Sequence, residues 1–212
     1  VEAIEELASR AGVEVVHEQG FESDKPKRDL TPLAQMNEKV GDFYQLQLRQ
    51  HGASKIATTY LKNRGLTGEV AKTFQLGFAP PGWDNLLSSL GQNDESLNQL
   101  RELGLVVTNE NNKTYDRFRE RIIFPIRNKR GQTIGFGGRV LDSGEPKYLN
   151  SPETPLYHKG REVYGLYEAL KSSSKIQRII VVEGYLDVIS LYQQGITNTV
   201  AALGTAITRE HV

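Results

Sequence analysis

The chain has 212 residues, 38% hydrophobic and 25% charged with zero net charge, which excludes a peptide, favours a folded globular protein over a disordered one and, taken as an average, argues against a generic polyanion binder. No apolar run approaches the roughly 18 residues that span a bilayer, and the first residues lack a basic stretch leading into an apolar one, so a cytoplasmic protein without membrane contact is expected. With no cysteine there is no disulfide and no thiolate zinc site, and any metal is expected on oxygen or histidine ligands.

Residues 1–30 carry eight acidic and four basic side chains, opening on a short amphipathic pattern, EAIEELASRAG, and continuing without period. They read as a leading helix and linker. At Thr31-Pro32 the texture changes: Thr31 is placed to cap a helix, Pro32 suits its first position, and Leu33, Met36, Val40, Phe43 and Tyr44 recur at helical spacing. A second helix is expected over Ser54 to Arg64 with Tyr60 and Leu61 on its apolar side, closed by Gly65 in the left-handed conformation. Thr67 starts a short helix carrying Val70 and Phe74. In QLGFAPPGWDNLL the two prolines and Gly82 argue against regular structure, Asp84 is a candidate cap, and Trp83 reads as a buried anchor, with an exposed base platform as the alternative.

Strands are expected from Leu105: LVVT, RIIFPIR and TIGFGGRVL, the last two joined by the turn NKRG. Gly135, Gly137 and Gly138 allow another backbone or a ligand to approach closely, but no Gly-x-Gly-x-x-Gly or Walker pattern is present. The polar stretch from Asp142 to Gly160 is long for a loop, and loops of that length are often functional. A helix over Glu162 to Leu170 and a serine-rich junction follow. Then IQRIIVVEG reads as a buried strand, YLDVISLYQQG as a helix and NTVAALG as a second buried strand, an order that points to a parallel sheet; a further helix is expected after Thr208.

Two features carry chemistry. Glu183 ends an apolar strand just before Gly184, where a parallel sheet places its ligands, so it is a candidate metal ligand or proton acceptor; a solvent-edge strand end is the competing reading. Asp187 falls in the first turn of the next helix, which favours its charge with or without a catalytic task. From Arg117 to Arg161 there are ten Lys or Arg against four Asp or Glu, a local field that the neutral average hides. Arg117, Arg119 and Arg121 alternate and would share one face if a strand already begins there. Arg139, Lys147, Asn150 and Lys159 could join them around a groove for single strands, dominated by phosphate contacts, with Tyr148 and Tyr157 as stacking or loop-packing residues. His17, His51, His158 and His211 are scattered and form no metal pair, and no Gly-x-Ser-x-Gly supports acyl-enzyme chemistry.

The segments YDRFRERIIFPIRNKRGQTIGFGGRVL at Tyr115 to Leu141, KYLNSPETPLYHKG at Lys147 to Gly160, VEGYLDVISLYQQG at Val182 to Gly195 and AALGTAIT at Ala201 to Thr208 resemble successive signatures of the bacterial replicative primases, the DnaG family; YLKNRGL and LGFAPPGWDNL agree. The resemblance covers nearly the whole chain from Thr31. It implies a mixed α/β fold: an N-terminal domain of the primase-core type over 31–172, with a basic template-binding surface, then the first, incomplete part of a parallel Toprim-like domain over 173–212. It also implies an enzyme making short RNA primers from ribonucleoside triphosphates on a single-stranded DNA template with Mg²⁺ or Mn²⁺, alongside a replicative helicase and single-strand-binding protein. Glu183 matches the Toprim glutamate, the catalytic and metal-binding position. Asp187 matches the acidic position of the family's Glu-Gly-Tyr-x-Asp pattern, a weaker metal assignment. Arg64, Arg117, Arg119, Arg139, Lys147, Tyr148, Asn150 and Lys159 match positions associated with template or nucleotide. The family's zinc is expected only in a preceding domain absent from this sequence, and the paired metal-binding aspartates are expected beyond Val212, so the chain alone is expected to be inactive. Another Toprim enzyme, a topoisomerase or nuclease, or a non-catalytic single-stranded-DNA-binding module are the alternatives.

Overall fold

A computed structural model describes residues 28–141, 144–173 and 175–204. The leading helix and linker expected before Arg28, with His17, and the helix expected after Thr208, with His211, lie outside the described residues.

Helix α1 (Thr31–Gln50) buries Leu33, Met36, Val40 and Tyr44, the helical stripe read from the sequence. Its start is not capped by Thr31, which is already helical; the Asp29 carboxylate accepts from the Thr31 N–H at 2.9 Å instead. Helix α2 (Ser54–Asn63) ends at Gly65 with φ 75°, as the turn requires, and α3 (Gly68–Thr73) is capped by the Thr67 hydroxyl, which accepts from the Val70 N–H at 3.2 Å.

Strand β1 (Gly77–Ala79) forms where the prolines had argued for irregular chain. Pro80 and Pro81 sit just after it, so no ladder donor is lost. Helices α4 (Asn85–Leu90) and α5 (Asp94–Glu102) follow, then the hairpin β2 (Val106–Thr108) and β3 (Thr114–Asp116). Among the described residues the Asp84 carboxylate caps no backbone N–H of α4 and accepts only from the Ser88 hydroxyl at 3.3 Å; the buried Asp116 carboxylate accepts from the N–H groups of Leu86 and Leu87 at 2.8 and 2.9 Å and caps the helix from thirty residues away.

The central pair is β4 (Arg121–Arg127) and β5 (Thr133–Val140), antiparallel, flanked by β1 and by β6 (Tyr148–Asn150) in the order β1-β4-β5-β6. Ile122, Ile123, Phe124, Ile126 and Phe136 are fully buried, each contributing about 1.5–3 kcal/mol through lost water contact. Neighbours along β4 face opposite sides: Ile122, Phe124 and Ile126 pack toward the second sheet, and Ile123 packs under α1 and α5.

The second sheet has the order β7-β9-β8, with β7 (Val163–Tyr164), β8 (Ile180–Val182) and β9 (Thr199–Ala202). Strands β8 and β9 are parallel, joined through α7 (Tyr185–Gln193), as the alternating texture implied. The helix expected from Glu162 starts later, α6 (Leu166–Ser172), because Val163 and Tyr164 pair with β9. Strand β8 is not buried: Ile180 and Val181 are exposed. One cluster of buried side chains runs from Phe78, Ile122 and Phe124 into Tyr164, Tyr185, Val188 and Ala201, so the two sheets share a core.

Candidate nucleic-acid interface

The basic residues assemble by stacking. Arg139, on β5, is nearly buried between two rings: its guanidinium lies 5.0 Å from the Tyr60 ring and 5.2 Å from the Tyr148 ring, and its Nη1 donates to the Tyr148 hydroxyl at 2.8 Å. Arg64 covers Tyr60, 5.4 Å from the ring centroid. A row of Arg64, Tyr60, Arg139 and Tyr148 results, in which the cations are held by ring faces and not by carboxylates. Of the two cations Arg64 is exposed and can meet an external anion, whereas Arg139 is 9% exposed and its charge acts from beneath the Tyr148 ring. Tyr148 is 37% exposed at the outer end of the row.

Asn150 knits this row to the second sheet. Its Oδ1 accepts from the Tyr185 hydroxyl at 2.7 Å, its Nδ2 donates to the Leu203 carbonyl at 2.9 Å, and its own carbonyl accepts from Arg117 Nη2 at 3.3 Å. Burial pulls the Arg117 pKa below the ordinary guanidinium range. Tyr185 stacks on Phe124 with centroids 4.9 Å apart and lies 6.1 Å from the Tyr148 ring. A Cβ at Gly137 would fall 2.4 Å from Tyr185 Cζ, so this glycine is the socket for that ring. The close approach expected at the glycine cluster is made by the protein's own side chains, with Phe118 over Gly138 and Tyr157 against Gly135.

Arg117, Arg119 and Arg121 do not share a face, because β4 begins only at Arg121 and Glu120 before it has φ 52°. Arg121 turns inward, its Nη1 donating to the Pro146 carbonyl at 2.8 Å. Arg119 donates to the Asp116 carbonyl and lies 4.3 Å over the Trp83 ring and 5.2 Å from that of Tyr115. Trp83 is therefore not a buried anchor: it is 58% exposed, with Tyr115 edge-on at 5.4 Å. Tyr157 is fully buried and cannot stack on an external base. Lys147 is exposed beside Tyr148. Lys159 is half-buried in a turn organised around Glu153, whose carboxylate accepts from the Lys159 N–H at 3.0 Å and meets His158 Nδ1 at 3.1 Å. Sequence reasoning missed Tyr60, Tyr115 and Tyr185 as members of this surface.

Glu183 stands exposed at the C-terminal end of β8, followed by Gly184 and then Tyr185, so the Asn150 network fixes the chain two residues from it. One Asp187 oxygen accepts from the Gly184 N–H at 3.1 Å, which closes the start of α7. Among the described residues no group of three or more His, Asp or Glu converges to hold a metal ion. Glu183 and the second oxygen of Asp187 do not by themselves fit the expected Mg²⁺ or Mn²⁺. Among the described residues no helix is long and apolar enough to cross a membrane.

Comparison with known proteins is consistent along the whole chain. A family model for the DNA primase catalytic core, N-terminal domain, matches residues 43–170, and a Toprim domain model matches 177–212. The DNA primase of Pseudomonas putida is 54% identical over the full chain and that of Escherichia coli K12 50%, covering 32% and 36% of those proteins. The chain thus spans about a third of the length of these curated relatives. Among solved structures, a DnaG primase catalytic domain bound to ssDNA aligns with TM-score 0.81 and 52% identity, covering 85% of this chain and 58% of that one. A DNA primase domain from Pseudomonas aeruginosa aligns with TM-score 0.83 and 56% identity over 85% of this chain and 56% of that one. The chain belongs to the DnaG family of DNA primases, with the N-terminal domain of the catalytic core followed by a Toprim-matched stretch.

Proposed function

We propose that this chain supplies the template- and nucleotide-handling surface of a DNA primase, an enzyme joining ribonucleoside triphosphates into a short RNA primer on single-stranded DNA. The observation that carries the reading is the row Arg64, Tyr60, Arg139 and Tyr148, tied through Asn150 and Tyr185 to the strand end that bears Glu183. The exposed Arg64 guanidinium offers its N–H fork to phosphate oxygens, Arg139 adds charge beneath Tyr148, and the exposed Tyr148 and Trp83 each offer a ring face to unpaired bases. Lys147 and Lys159 add mobile charge, Arg117 and Arg119 extend the basic line, and Glu183 is the catalytic carboxylate, with Asp187 chiefly positioning the helix that follows it. In this reading 31–172 is the template-binding part and 173–212 the start of the Toprim domain.

The metal the family implies would be Mg²⁺ or Mn²⁺, held in part by Glu183, and would supply charge to offset the triphosphate. Carboxylates in addition to Glu183 would be needed to complete such a site. The helicase, single-strand-binding protein and cytoplasmic setting rest on the family alone.

The test is incorporation of labelled ribonucleotides on single-stranded DNA. A protein of the relatives' length carrying this sequence is expected to make RNA and to lose most activity with Glu183→Gln, while the 212-residue chain makes none. Incorporation by the short chain, or indifference to Glu183→Gln, contradicts the reading. Relaxation of supercoils or strand cutting without RNA moves it to a topoisomerase or nuclease, and binding without incorporation moves it to a scaffold.

A further inference from the structure

Away from the basic row, α1, α2 and α3 enclose a cleft of about 420 Å³ whose floor is Leu48, Leu61, Leu66, Ala71 and Leu76. Its rim carries Arg49, Lys62 and Lys72, and among the described residues no acidic side chain lines it. Each of these cations occupies the last turn of its helix, and none has an ion-pair partner among the described residues. A helix end carries roughly half a negative charge, so three ends offset about half of three positive charges and leave an excess of roughly +1.5 around the cleft. The volume is in the range of sites that take a few side chains or a small ligand.

We propose that this cleft is a docking site for an acidic peptide segment that carries bulky apolar side chains among its carboxylates. Charge complementarity fixes the sign of the occupant, since an apolar floor ringed by unpaired cations favours an anion with an apolar body. The floor also separates peptide from nucleic acid. None of the lining residues is aromatic, so bases find no face to stack on, whereas aliphatic walls suit leucine or phenylalanine side chains. The cleft also lies against the second sheet's helix: Gln193 of α7 accepts from the Thr67 N–H at 2.8 Å and donates to the Gly65 carbonyl at 2.8 Å. An occupant pressing on Leu66 and Thr67 therefore meets the turn that fastens α7.

The probe is a short fluorescein-labelled peptide of aspartates and leucines, titrated into the full chain at low salt. Two control peptides replace either the aspartates or the leucines with serine. Saturable binding is expected for the probe, with at least about tenfold weaker binding for each control and for the double variant Lys62→Glu/Lys72→Glu, a change of about 1.4 kcal/mol or more. Both lysines are exposed at helix ends, and circular dichroism confirms that the variant is folded. Lys171→Glu, outside the cleft, is expected to change nothing, and excess oligothymidylate is expected not to displace the peptide. Absence of binding by a folded sample, equal binding of the controls, indifference to the double reversal, or displacement by oligothymidylate overturns the proposal; the last of these assigns the cleft to nucleic acid.

Discussion

Replacing Glu168 with leucine tests whether α6 is locked to the central sheet by a buried ion pair. Arg127 closes β4 with its side chain 7% exposed, and Glu168 on α6 is 4% exposed. The Arg127 guanidinium bonds to the Glu168 carboxylate, donates to the Thr73 carbonyl at 2.8 Å and lies 4.7 Å over the Tyr167 ring, so one cation joins β4, α3 and α6. Taking away Glu168 leaves a buried guanidinium with one carbonyl partner, and breaking such a pair costs about 3–5 kcal/mol, most of it for the stranded charge. For a chain of this size each kcal/mol moves the melting temperature by about 2–4 °C, so a fall of roughly 6–20 °C is expected. Arg127→Met should cost a similar amount. The double variant Arg127→Met/Glu168→Leu removes both charges together and should lie within about 2 kcal/mol of the parent, the Thr73 carbonyl being the group left without a donor. Urea and thermal unfolding of the four proteins complete the cycle. A single-variant loss under about 1 kcal/mol, or a double variant costing the sum of the singles, refutes the reasoning.

Asp116→Ala should destabilise by about 2 kcal/mol by orphaning the Leu86 and Leu87 N–H groups, and Asp116→Asn by less, measured by urea unfolding. Burial raises the Asp116 pKa above its ordinary 3.8, outweighing the two N–H donors that pull it down. The carboxyl therefore contributes stability below pH 3.8 that is lost as pH rises through its folded value, and the parent should lose stability relative to Asp116→Asn over that window; the opposite trend counts against the assignment. Gly137→Ala places a methyl against the Tyr185 ring and should cost about 1–3 kcal/mol, with changes in amide exchange at the Asn150 and Leu203 contacts; neutrality would mean that the ring moves freely.

Much of the fold was legible because period and punctuation are local. The α1 stripe, the Gly65 stop, the Thr67 cap and the β4–β5 pair each follow from residues within one element. What failed depended on partners distant in sequence. Nothing near Asp84 announces that Asp116 caps α4, and nothing in GFA says that β4 will pair with it across the prolines. Trp83 stays outward with the Arg119 guanidinium over one face and Tyr115 set against it at a near-right angle, and a lone tryptophan in a proline loop does not reveal that. Alternating arginines suggested a strand face, but the left-handed Glu120 breaks the alternation before β4 begins. For the candidate site, residue types were legible and their assembly was not: Tyr60 and Tyr185 join Arg139, Tyr148 and Asn150 through contacts that span 35 residues or more.

If the row around Arg139 and Tyr148 is a surface for single-stranded DNA, binding must weaken with salt in proportion to the phosphates it neutralises. For Z neutralised phosphates the slope of log affinity against log salt is about −0.7Z, so roughly three to five contacts give about −2 to −3.5. Fluorescence anisotropy of a short labelled DNA strand, titrated with the folded chain at several salt concentrations, measures it. A slope in that range is expected, flattened by up to about 0.7 for each of Arg139→Ala and Lys147→Ala on unrelated sequences, with Lys171→Ala unchanged. Absence of binding at low salt, or a slope that survives the removal of both Arg139 and Lys147, contradicts that role for the row.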